Sequence, residues 1–105
     1  MELFFLDLSE YKDNTFVGHV EMSTDKESLK DDRVWISNLY VFKHYRHIGI
    51  GTKLMNRVID TCKKLSIPRV YLWCIPKLIP FYKNFEAEDT HQIIDEYHLM
   101  TINIK

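Results

Sequence analysis

The residues best suited to chemistry are Arg46-His47-Ile48-Gly49-Ile50-Gly51 and the Thr52 that follows. Glycine lets a backbone approach a ligand closely and adopt unusual φ/ψ. A helix that starts here presents unpaired N–H groups and a partial positive charge. Such a turn is a pocket for phosphate. Arg46 adds a guanidinium able to fork onto phosphate oxygens, and Thr52 adds a hydroxyl. Two better-known phosphate loops are excluded. A P-loop requires Gly-x-x-x-x-Gly-Lys-Ser/Thr, whereas here Thr52 precedes Lys53 and the first glycine is missing. A dinucleotide loop requires a third glycine and an acid on the next strand, and Tyr71-Leu72-Trp73-Cys74-Ile75 supplies none.

The flanking elements must position that turn. Residues 33–42 form the strongest strand pattern and are too apolar near their end for an edge, so a central strand is expected. A helix is predicted from Gly51 to Leu65, with Ile50, Leu54, Val58, Cys62 and Leu65 on one face. Lys63 and Lys64 suit its last turn, and Pro68 stops it. Residues 69–75 read as the next strand. Pro80 can open a short helix reaching Phe85, residues 86–92 are polar, and 97–104 alternate as a last strand. Upstream, residues 3–8 read as a short buried strand and 9–14 as a turn. Residues 15–22 read as a strand with Phe16, Gly18, Val20 and Met22 on one face and Val17, His19 and Glu21 on the other. Residues 23–32 read as a surface loop. The fold class is therefore mixed α/β, in a single domain spanning 1–105.

Composition narrows the function. The 46% hydrophobic content supports a packed core, and the net charge of −1 argues against a bulk grip on nucleic acid. Lys43, Arg46, Lys53 and Arg57, with His44 and His47, concentrate positive charge locally, as a site for a small anion would. No apolar run reaches the ~20 residues that cross a bilayer, and no secretory leader pattern is present, so a cytoplasmic location is expected. Cys62 and Cys74 read as buried small hydrophobes. No metal is expected.

The run from Leu39 to Leu54 resembles the acetyl-CoA-binding motif of the GNAT N-acetyltransferases: a Leu-x-Val strand end, a short loop, Arg/Gln-x-x-Gly-x-Gly/Ala, then a helix. The resemblance continues in order through Val70-Tyr71-Leu72-Trp73, Phe81-Tyr82-Lys83-Asn84-Phe85-Glu86 and Tyr97-His98-Leu99-Met100. It implies a mostly antiparallel sheet around a strand–helix–strand core. It also implies direct attack of a primary amine, on a small molecule or a protein, upon acetyl-CoA. Backbone groups of Leu39, Tyr40 and Val41 would pair with pantetheine. Amides of His47, Ile48, Gly49, Ile50, Gly51 and Thr52, with Arg46, would hold the pyrophosphate. Tyr82 would protonate the departing thiolate.

Some positions depart from the family pattern. Ile75 stands where the family has asparagine. Asn84 replaces the glycine before Phe85, and asparagine tolerates left-handed geometry. The stretch before the second strand is too short for the family's first strand and two helices, so an acceptor side that is open, or completed by a second subunit, is expected. The last strand is expected to form an exposed edge that a homodimer would cover. Glu21, His98 and His19 are the candidate bases. The alternative function is a non-catalytic acetyl-CoA-binding module that regulates a partner protein.

Overall fold

The computed structural model describes residues 5–24 and 33–105. Strands β1 (Phe5–Lys12), β2 (Thr15–Thr24) and β3 (Val34–Val41) lead into helix α1 (Ile50–Lys64). Strand β4 (Arg69–Cys74), helix α2 (Ile79–Lys83), β5 (Glu88–Ile94) and β6 (Tyr97–Asn103) follow. One six-stranded sheet in the order β1-β2-β3-β4-β6-β5 takes in all strands, and only β3 and β4 run parallel. This is the mixed, mostly antiparallel sheet with a strand–helix–strand core that the sequence predicts.

Helix α1 follows from its sequence. Ile50, Leu54, Met55, Val58 and Cys62 are buried and pack the helix on β1, β2 and β3. Leu65, expected on that face, is 55% exposed because the chain has already turned. Ser66 takes φ 56°, the Ile67 amide donates to the Cys62 carbonyl at 2.8 Å, and the Ser66 amide reaches Lys63. This is a Schellman closure, and it buries Ile67 in the place Leu65 was expected to fill. Both cysteines are buried and unbonded, and burial pushes the Cys62 thiol up to about 11.

Other expectations need correction. β1 is an edge strand that buries only Leu8 and Glu10, and it runs through 9–12, which read as turn. The reversal is confined to Asp13 and Asn14, both at positive φ, as a two-residue hairpin requires. Residues 3–4 and 25–32 of the predicted strand and loop lie outside the described residues. In β2, Val17 is fully buried and Phe16 only partly. The pairing steps from Glu10↔Gly18 to Tyr11↔Phe16, so Val17 is an extra residue and the alternation flips. Residues 86–92, read as merely polar, contribute most of β5. That strand covers β6, so the sheet edges are β1 and β5 rather than the last strand.

Candidate functional site

Strands β3 and β4 pair only at Val34↔Val70 and Trp35↔Tyr71, then separate. A second irregularity helps part them. Between His19↔Tyr40 and Glu21↔Ser37, β3 holds one residue more than β2, with Asn38 at φ 53°. Gly18 accommodates the displaced strand, because a Cβ there would lie 2.7 Å from the Tyr40 carbonyl oxygen. The Phe42 amide then donates to the Val17 carbonyl at 2.9 Å, fixing the strand's exit.

The parted end is a cavity of about 490 Å³. Leu39 and Val41 form one wall, Phe81 and Tyr82 of α2 another, and the 46–52 turn closes an end. Of the residues singled out from sequence, Leu39, Val41, Arg46, His47, Gly49, Ile50, Gly51, Thr52 and Tyr82 line it. Tyr40 and Ile48 do not: their side chains are 44% and 55% exposed. Tyr45, Leu78 and Phe81 line it as well and were missed. Phe81 carried a signal, since it sits next to Tyr82 in a helix facing the side-chain-free Gly51; a Cβ on Gly51 would touch its ring at 3.4 Å.

The start of α1 leaves its hydrogen-bond donors open. Gly49 caps α1 at φ 88°, no side chain caps that end, and no acid lies in its first turn. His47 is also left-handed at φ 64°. The first backbone bond of the helix is Lys53 N–H to the Gly49 carbonyl, at 3.0 Å. Arg46 and His47 form a turn, and beyond it the amides of 49–52 have no acceptor among the described residues. Arg46 is partly occupied: its Nε donates to the Val41 carbonyl at 2.8 Å and its guanidinium lies 5.3 Å from the Tyr40 ring centroid.

The expected cationic cluster divides. Lys53 Nζ lies 3.0 Å and Arg57 Nη1 3.1 Å from the Glu10 carboxylate, and Arg57 also donates to the Ser9 carbonyl. These two cations bolt α1 to β1. Burial by itself raises the Glu10 pKa, but hydrogen bonds from Lys53 and Arg57 outweigh it and hold the carboxyl below its ordinary value.

Tyr82 is buried, and its hydroxyl has no hydrogen-bond partner among the described residues. Burial, with Cys74 nearby, pushes its pKa up to about 12. Asn84, where left-handed geometry was expected, is helical at φ −62°; the turn falls on Glu86 at φ 61°. None of the candidate bases lines the cavity. His98 Nδ1 contacts Asp89 Oδ2 at 2.9 Å, and Glu21 accepts from Asn38 Nδ2 at 2.7 Å.

The model of the acetyltransferase (GNAT) family matches residues 2–86. No curated protein matches the chain. Among solved structures, Escherichia coli ElaA superposes with TM-score 0.79 at 19% identity, covering 94% of this chain and 68% of that one. The PaiA N-acetyltransferase of Thermoplasma acidophilum, in complex with coenzyme A, gives TM-score 0.74 at 24% identity, covering 94% and 60%. Arabidopsis thaliana Naa50 with the bisubstrate analogue CoA-Ac-MVNAL gives TM-score 0.70 at 30% identity, covering 87% and 68%. The chain thus spans 60–68% of the length of these three.

Proposed function

The chain belongs to the GNAT acetyltransferase family, and from that premise we propose that it is an N-acetyltransferase carrying acetyl from acetyl-CoA to a primary amine by direct attack. The observation that carries this reading is the uncapped start of α1, whose free amides open on a cavity between parted strands. Two phosphates need many donors and no competing acid, and the 46–52 turn offers both conditions. The apolar walls at Leu39, Val41 and Phe81 suit a thin pantetheine arm, which the unpaired side of β3 would bind as an added strand. An N–H of the same stretch would hold the thioester oxygen as negative charge develops. Tyr82 keeps its proton at neutral pH, so its role is to donate a hydrogen bond to the departing thiolate. The acceptor would be a small-molecule or protein amine. Naa50 is the relative solved with a peptide-bearing analogue.

That no candidate base lines the cavity favours one second reading, a module that binds acetyl-CoA without turnover and regulates a partner. Calorimetry with CoA, followed by thiol release with a panel of amines and Lys peptides, separates the two. Thermal stabilisation of about 2.7 kcal/mol is expected at a CoA concentration near 100 times Kd; no shift removes both readings. Tyr82→Phe should lower kcat by about 10²–10⁴ with CoA affinity intact. An unchanged kcat would make Tyr82 a packing residue only.

A further inference from the structure

On the sheet face away from α1, β1 and β2 bring together three groups that sequence spacing does not connect. His19 and Glu21 are two apart on β2 and share a face. Asp7 of β1 stands directly opposite Glu21. One ligand atom from each of the three lies within 4.8 Å of the others. We propose that Asp7, His19 and Glu21 form a site for a divalent first-row transition metal of the zinc class.

Three observations point to a cation rather than to a chance cluster. First, His19 Nδ1 is shielded from solvent and has no hydrogen-bond partner among the described residues. It stands 3.5 Å from Asp7 Oδ1, outside hydrogen-bond geometry, although a buried ring nitrogen ordinarily finds a partner. Second, two carboxylates directly across an antiparallel pair repel each other; Asn38 donates to Glu21, but it carries no charge to cancel theirs. A cation between them removes both penalties. Third, the donors are already oriented. Asn38 Nδ2 holds Glu21 Oε2 at 2.7 Å, leaving the other oxygen free, and Phe16 sets its ring at 72° to His19 with centroids 6.0 Å apart. Such outer contacts fix ligands around a metal.

The donor set selects the ion. An imidazole nitrogen with two carboxylate oxygens suits zinc, cobalt or nickel better than magnesium or calcium. Bonds of about 2.0–2.2 Å place ligand atoms about 3.3–3.5 Å apart around a tetrahedral ion. The 4.8 Å limit then asks for a shift of at most about 1.5 Å, which Asp7, 46% exposed, can make. Three protein ligands leave room for water.

The test uses the whole protein after chelation, titrated with Co²⁺ and with Zn²⁺. Expected are one saturable equivalent, visible d–d absorption with Co²⁺, and a rise in Tm that Mg²⁺ does not produce. Metal-free melting of each variant shows that it is folded. His19→Gln and Asp7→Asn should each weaken Co²⁺ at least about tenfold. His91→Gln, at the separate Asp89 cluster, should bind as the unaltered protein does. The proposal is overturned by no saturable binding at millimolar Co²⁺, by undiminished binding in His19→Gln, or by loss of binding in His91→Gln.

Discussion

The two ends of α1 are built oppositely. At the C-terminal end every device is present: a left-handed Ser66, amides of Ser66 and Ile67 returned to Lys63 and Cys62, a buried Ile67, and Lys63 and Lys64 against the dipole. At the N-terminal end Gly49 offers no side-chain cap, the first turn holds no acid, and the first amides have no acceptor among the described residues. That end is held instead from its flank, through Lys53 and Arg57 on Glu10. Anchoring the helix sideways keeps it in place while its donors stay free. One end serves stability, and the other, under the proposed function, keeps its hydrogen-bonding capacity for a ligand.

Substitutions at each end test this division. Ile67→Ala, at the closed end, should destabilise the protein by about 2–5 kcal/mol in denaturant unfolding, with the Kd for CoA unchanged. A changed Kd at constant fold would couple the ends. Thr52→Asp, at the open end, should do the reverse. An acid in the first turn adds about 0.3–1 kcal/mol of stability to the free protein but should weaken CoA about a hundredfold by taking the amides and repelling phosphate. Equal CoA affinity in that variant would disprove the amide site.

Glu10 tests the sideways anchor. Its folded pKa is below the ordinary value of 4.5, so its contribution is full above that value and fades as pH falls through the lower, folded one. Acid titration of stability should therefore be flatter below pH 4.5 in Glu10→Gln, which is also less stable at neutral pH by about 1–3 kcal/mol. The smallest effect is at Ser66→Gly. Relief at φ 56° should add about 0.4–1 kcal/mol, read as a higher midpoint with no change in CoA binding.

What was legible in the sequence is what depends on one segment at a time. The period of α1, the apolar run of β3 and the glycines of the turn are local patterns, and each sits where it was expected. What was not legible depends on pairing between segments. The extra residues at Val17 and in β3 beside Asn38 are register events, invisible until two strands are laid side by side. β5 is almost wholly exposed and gains its order from the backbone of β6, so it has no apolar alternation to read. Lys53 and Arg57 were read with the phosphate turn because they are near it in sequence, but the helix turns them to Glu10. The Asp7–His19–Glu21 grouping likewise exists only across two strands.

The seam between β3 and β4 has two rungs, Val34–Val70 and Trp35–Tyr71. Beyond them β3 is a sheet edge that lies within the molecule, with β4 beside it and Phe81 and Tyr82 across the gap. Edges at the rim of a sheet invite any extended polypeptide and so favour aggregation. An internal edge keeps the same hydrogen-bonding generosity out of that traffic: only a slender guest can reach it, and the fold carries an adhesive strand without advertising it to its neighbours.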